Sequence, residues 1–220
     1  MPDSSIYFEA IANDPWSFYL DSGIQNGLDE NIYEKSRYDI IVSQPFIKII
    51  ADDFDVSIEE NNLKKVTKGN PFDILEEILS SFDIQETSLP FTGGALGYFS
   101  YELGQSTIQN NKDHIGIPLM MVGIYDWALI VDHQEKKACI ASHLLNKDTK
   151  DYLTKLSIKI KSVKPNNQSF KINSTIRSLL NFEAYDFIVN KILSFIKEGD
   201  VYQINILSLV KVTVGLDIRN

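Results

Sequence analysis

The chain is poor in the residues from which many sites are built. Among its 220 residues there is a single cysteine, Cys139, so no internal disulfide can form. Cys139 lies in the apolar run Ala138-Cys139-Ile140-Ala141, a setting that predicts an inert core thiol rather than a nucleophile. Three histidines, His114, His133 and His143, show no metal-ligand spacing. Positive charge is scarce as well. The formal net charge is −9, which argues against nucleic-acid binding, because phosphate neutralisation needs clustered Lys and Arg. No apolar run approaches the roughly 20 residues of a membrane span. The first residues, Met1-Pro2-Asp3-Ser4-Ser5, lack the basic and apolar regions of a signal peptide. A cytoplasmic protein, with no membrane and no nucleic acid among its partners, is the expectation.

What is present is ordinary globular composition with 44% hydrophobic residues, enough for one large domain or for one domain and part of another. The sequence predicts a short helix over 4–12, capped by Asp3 or Ser4, and a strand over 16–20. Residues 27–34 read as a polar loop. Two β-rich stretches, 38–42 and 46–50, are separated by Pro45, and 54–58 alternates like a half-exposed strand. Asn70-Pro71-Phe72-Asp73 is a helix start: a capping Asn, Pro at the first position and an acid in the first turn. Ile74, Leu75, Ile78, Leu79 and Phe82 then share one face. Residues 123–132 and 137–143 read as two strands joined by a polar turn at 133–136. A helix is expected over 149–160, its basic face solvated. Residues 165–169 (PNNQS) mark a linker. A second strong helix spans 181–198, capped by Asn181 and ended by Gly199, with Tyr185, Val189, Ile192 and Ile196 on one face. Residues 201–206 (VYQINI) read as a strand that follows it.

Helix and strand do not alternate strictly, so the class is α+β rather than doubly wound. The glycines of Gly93-Gly94-Ala95-Leu96-Gly97 fit neither the dinucleotide nor the phosphate-loop spacing. They read instead as positions of close backbone approach within a strand. Acidic pairs such as Asp52-Asp53 and Glu76-Glu77 read as solvated faces. Arg37 stands at the mouth of a strand, where a guanidinium can grip a ligand carboxylate with two bonds or pair with Asp39 or a loop acid. Composition and spacing alone reveal no catalytic site.

Five stretches taken together resemble one family: WSFYLDSG at 16–23, SRYDIIVSQP at 36–45, LPFTGGALGYFSYELG at 89–104, VGIYDWALIVDH at 122–133 and GDVYQIN at 199–205. Their order is similar to that of the component I proteins among the chorismate-utilising enzymes. The YDWALIVDH stretch and the Ser-Gly after the first strand look most like the aminodeoxychorismate synthase (4-aminobenzoate, folate) branch. Anthranilate synthase component I is a close relative. The resemblance implies a β-sandwich-like N-terminal domain with flanking helices at 1–164, a linker at 165–180, and the first helix and strand of an incomplete chorismate-binding domain at 181–220.

It also implies a reaction, in which chorismate and ammonia from a glutamine amidotransferase partner give 4-amino-4-deoxychorismate with Mg²⁺. The nucleophilic lysine of a PIKGT-like motif and the Mg²⁺-binding acids belong to the other half of a family member. No such motif occurs here, so the resemblance predicts a truncated, inactive chain that holds no catalytic or metal residues and needs no cofactor of its own. A stand-alone tryptophan-binding or amidotransferase-docking module is the alternative, as is an anthranilate synthase. Finally, the aminobenzoate branch holds a structural tryptophan. Its contacts correspond to Ser22 and to Ser36, Arg37 and Tyr38, whereas Lys35 departs from the tyrosine of the family pattern.

Overall fold

The computed structural model describes residues 4–23, 36–52, 54–84, 87–105, 117–163, 170–172, 176–208, 210–211 and 214–216. The loop predicted at 27–34, residues 165–169 and 173–175 of the linker, and His114 lie outside them. The chain forms two compact units, Met1–Pro165 and Asn166–Asn220.

The first unit holds two antiparallel sheets. One has the order β1 (Phe18–Leu20), β2 (Tyr38–Val42), β8 (Trp127–Asp132), β9 (Lys137–Ser142). The other runs β5 (Leu63–Lys68), β4 (Asp55–Glu60), β3 (Ile47–Asp52), β7 (Met120–Tyr125), β6 (Gly94–Phe99). Among the described residues three α-helices flank them: α1 (Ser5–Glu9), α2 (Pro71–Ser80) and α3 (Thr149–Ser162). The α+β class and the β-sandwich-like core are therefore observed.

Three apolar clusters explain the layering. Ile49, Ala51, Val56, Met120, Val122 and Ile124 pack the five-stranded sheet against Leu75 of α2. Ile41, Trp127, Leu129 and Val131 pack the four-stranded sheet against Ile11 and against Leu156 of α3. A third cluster, with Val42, Ala128 and Ile130 from one sheet and Tyr125 from the other, joins the two. Burial of this apolar surface is the main driving force for the layers, at about 25 cal/mol per Å².

Two chain segments cross between the sheets side by side. β2 passes into β3 through Ser43-Gln44-Pro45, and β7 passes into β8 through Asp126. The first crossing was legible in Pro45. The second was not, because residues 122–131 are uniformly buried and carry no turn signal beyond one acid. The expected single strand over 123–132 is thus two strands in different sheets. Asp126 is 3% exposed, and its carboxylate accepts bonds from the Thr149 hydroxyl (2.8 Å) and the Asn146 amide (2.9 Å). That ties the start of α3 to the crossover.

Local signals predicted the helix ends well. The Asn70 side chain accepts from the Phe72 amide, with Pro71 at the first position. Ser4 is the exception. It precedes α1, but its hydroxyl makes no cap bond and turns to the sheet instead. Cys139 is a second correction. It is exposed, because β9 is an edge strand whose first three residues are all open to solvent.

The second unit contains α4 (Phe182–Glu198) and two small antiparallel pairs, β10 (Phe170–Ile172) with β13 (Val214–Leu216) and β11 (Arg177–Ser178) with β12 (Val210–Lys211). The Asn181 side chain caps α4 by accepting from the Ala184 amide, and Gly199 ends it with φ +86°. No residue of α4 is fully buried; of the expected stripe Val189 and Ile192 are half-buried and Tyr185 and Ile196 exposed, while Phe182, Phe187 and Leu193 are more open still. The strand predicted over 201–206 is absent. Those residues run without ladder partners among the described residues, since β11 pairs with β12 further along. Pairing is non-local and cannot be read from a β-rich hexapeptide alone.

Candidate functional site

The predicted site residues meet at one end of the four-stranded sheet, where β2 begins and the β8–β9 hairpin turns. Arg37 precedes β2. Its carbonyl accepts the His133 amide at 2.9 Å, which extends the β2–β8 ladder by one step. Its guanidinium reaches across to Asp132. Nε lies 3.0 and 3.1 Å from the two carboxylate oxygens, and Nη2 lies 2.6 Å from Oδ2. The partner is therefore Asp132, neither Asp39 nor a loop acid. The two residues are 95 positions apart, so only the strand register brings them together. The Arg37 side chain is 35% exposed and Asp132 15%. The guanidinium also sits 4.7 Å from the centre of the Tyr38 ring, a cation–π distance. Tyr38 itself packs toward the cluster that joins the sheets.

Asp132 is further held by the amides of Gln134 and Glu135, both 3.0 Å from Oδ1. Its hydrogen bonds from Arg37, aided by these amides, keep its carboxyl below the usual carboxylate range, and Asp132 raises Arg37 in return.

Asp39, two residues along the same strand face, is 1% exposed. Oδ1 accepts the Ser22 amide at 2.8 Å. Oδ2 accepts the Ser4 hydroxyl and, at 3.4 Å, the Tyr19 hydroxyl, and lies 2.8 Å from His133 Nε2. Burial pushes this carboxyl up. The hydrogen bonds from Ser22, Ser4 and His133 outweigh it and hold the group below its ordinary value. The Ser22 hydroxyl is buried beside this carboxylate. Ser36 stands half-buried immediately before Arg37.

The structure thus gathers Ser36, Arg37 and Tyr38 at one strand mouth, with Ser22 anchored to the same strand two residues on. Sequence reading missed Asp39, His133, Ser4 and Tyr19. One signal was available: in YDIIV the acid occupies a position whose next alternation partner, Ile41, is buried. A charge at a core-facing position must be paired. His133, which shows no metal-ligand spacing in the sequence, has a 19% exposed side chain and turns its ring to Asp39.

Both carboxylates bind fewer protons in the folded state than in the unfolded chain. Their contribution is complete above the ordinary carboxylate pKa of about 4 and is lost as pH falls through the lowered folded values. Denaturant titrations are expected to give constant stability from neutral pH to about 4 and a decline below it. Asp132→Asn should make that acid decline shallower. An equally steep decline in the variant would contradict the pairing.

A separate cleft of 440 Å³ opens between Gln44, Phe46, Lys48, Glu59, Asn146 and Tyr152. None of the predicted site residues lines it. Lys48 is already paired with Glu59 at 2.7 Å. Among the described residues no group of three or more His, Cys, Asp or Glu could hold a metal ion, so these residues do not fit a Mg²⁺ site. Nor is any described helix long and apolar enough to cross a membrane.

Comparison with known proteins places this geometry in context. Residues 30–218 match the family model described as chorismate binding enzyme. Aminodeoxychorismate synthase component 1 of Escherichia coli (strain K12) is 30% identical over 209 residues, covering 92% of this chain and 44% of that protein. Anthranilate synthase component 1 of Lactococcus lactis is 28% identical over 184 residues, covering 78% of this chain and 40% of that protein. The crystal structure of anthranilate synthase component I from Streptococcus pneumoniae superposes with a TM-score of 0.58 at 19% identity, over 82% of this chain and 46% of that one. The chain spans less than half the length of these relatives.

Proposed function

The chain belongs to the family of chorismate binding enzymes, and from that premise we propose that residues 1–220 are the N-terminal part of an aminodeoxychorismate synthase component I, a cytoplasmic enzyme. The higher identity and coverage of the aminodeoxychorismate relative over the anthranilate relative support this branch. The whole enzyme would convert chorismate to 4-amino-4-deoxychorismate with ammonia released from glutamine by an amidotransferase subunit, as the name component 1 invites. Mg²⁺ and the nucleophilic lysine belong, in this reading, to segments other than those described above.

For this stretch itself we assign a ligand role. The Arg37, Tyr38 and Ser22 cluster would hold the carboxylate and ring of an amino acid, tryptophan, as a structural ligand. One observation carries the reading. Asp132 engages the Nε–Nη2 edge of Arg37 and leaves the second edge of the fork for a ligand carboxylate. The Ser22 hydroxyl, buried beside Asp39 at the same strand mouth, adds a second polar group for that ligand.

Two experiments test the proposal. The 220-residue chain, given chorismate, ammonium and Mg²⁺, is expected to consume no chorismate, and turnover by it alone would overturn the division of labour. With millimolar tryptophan, backbone NMR shifts are expected at Ser22, Ser36, Arg37 and Tyr38. Shifts elsewhere only, or none, would remove the ligand role.

A further inference from the structure

Resting on that ligand reading, we propose that Asp39 is the positioning residue of the site: it fixes the Ser22 segment to the mouth of β2, and His133 and Ser4 hold Asp39 in turn. Neither the resemblance nor the comparisons assign a role to these three residues.

The argument starts from cost. A carboxylate that is 1% exposed is expensive to bury, and an apolar residue at position 39 would pack against the same helix layer without that cost. Asp39 has four donors directed at it, and they come from four separate places in the chain. Ser4 lies at the start of α1, Tyr19 in β1, Ser22 after β1, and His133 in the β8–β9 turn. Three of these are not needed by their own elements. The Ser4 hydroxyl makes no cap bond to α1. The Ser22 amide lies beyond β1, whose ladder ends at Leu20. His133 already closes the hairpin through its backbone, so its ring is free to reach Asp39.

The arrangement has a direct geometric consequence. β1 pairs with β2 through Leu20 opposite Ile40, and residues 21–23 follow without ladder bonds. Asp39 is the contact that returns this segment to β2 immediately beside Arg37 and Tyr38. Without it the Ser22 hydroxyl has no defined position relative to the Arg37 fork. His133 and Asp132 are neighbours in one turn, so the two carboxylates anchor the two halves of the site from a common hairpin: Asp132 orients Arg37, and Asp39, braced by His133, orients Ser22. A misplacement of about 1 Å in such a pair is enough to forfeit a directional hydrogen bond.

The test compares the wild-type chain with Asp39→Asn, His133→Asn and Ser4→Ala, reading two quantities on the folded protein. The first is the hydrogen-exchange protection of the Ser22 amide. The second is the dissociation constant for tryptophan. The wild-type Ser22 amide is expected to be protected. Asp39→Asn is expected to lose at least tenfold of that protection and at least tenfold of tryptophan affinity, with His133→Asn and Ser4→Ala each losing a few-fold. A purely structural role would lower the melting temperature but leave the affinity of the folded fraction unchanged, and that result overturns the proposal. So does a wild-type Ser22 amide that exchanges freely, or one equally protected in the variants. If Asp39→Asn does not fold, the His133 and Ser4 variants decide by the same criteria. If the wild-type chain binds no tryptophan, the ligand reading fails separately, and the exchange of the Ser22 amide still decides whether Asp39 positions that segment.

Discussion

Gly97→Ala is expected to destabilise the first unit by about 3 kcal/mol or more, a drop in melting temperature on the order of 10 °C. A Cβ at this position would stand 2.0 Å from the Met121 carbonyl oxygen and 2.7 Å from the Val122 Cα. Both are backbone atoms, so no side chain can swing aside. β7 cannot retreat, because it is paired with β3 on its other edge and its Val122 is fully buried. The strain therefore falls on β6, the edge strand, which must peel away. Leu96 of β6 packs on the cluster that also seats Tyr38, so the disturbance reaches the candidate site. Gly104→Ala is the control: nothing lies within 4 Å of its added carbon, and a change within about 0.5 kcal/mol is expected. Thermal unfolding of the two variants side by side would decide it. A Gly97→Ala protein as stable as the wild type would contradict the close approach of the two strands.

That glycine also shows what a sequence can disclose about such a fold. The run GGALG is legible as a place where backbones approach, because the alternatives fail on spacing. Its partner strand is not named by anything nearby. The same division holds elsewhere. Caps at Asn70, Asn181 and Gly199 are local, and they appear where the sequence puts them. β5 has a weaker local signature: LKKVTK is an exposed edge whose lysines obscure alternation. The apparent strand at 201–206 is the reverse error, β-rich residues without a ladder partner among the described residues. The helical face expected on α4 is present but only partly covered, with Val189 and Ile192 half-buried and Tyr185 and Ile196 exposed, so amphipathic spacing marked a face that could be buried rather than how far it is. In the site, Ser36, Arg37 and Tyr38 are adjacent and could be read together. Asp132 and His133 could not be joined to them, because the link is the antiparallel register of β2 with β8, a long-range property. The exposed Cys139 was misjudged for a related reason: which strand forms the edge of a sheet is a matter of topology, not of hydropathy.

Arg37→Ala is expected to abolish measurable tryptophan binding while changing stability little. The two effects separate because Arg37 is bound differently on its two edges. Toward Asp132 it forms a two-pronged ion pair, but both side chains retain solvent contact, at 35% and 15% exposure. Such pairs contribute about 1 kcal/mol or less. Asp132 keeps its bonds from the Gln134 and Glu135 amides when Arg37 is gone, so no buried charge is left bare. Toward a ligand carboxylate the same guanidinium would supply charged hydrogen bonds of about 1.5–3 kcal/mol, and losing them lowers affinity by roughly 10- to 150-fold. Arg37→Lys should fare little better. An ammonium is a single point charge that cannot satisfy Asp132 and a ligand through two fixed edges at once. Asp132→Asn completes the logic. It leaves the guanidinium in place but removes the charge that orients it and stacks it over Tyr38. Its affinity is expected to fall between those of the wild type and Arg37→Ala, by about tenfold. Calorimetry on the three variants, with unfolding measured in parallel, distinguishes the cases. Undiminished binding in Arg37→Ala would show that the arginine serves Asp132 alone and that the ligand carboxylate, if there is one, is held elsewhere.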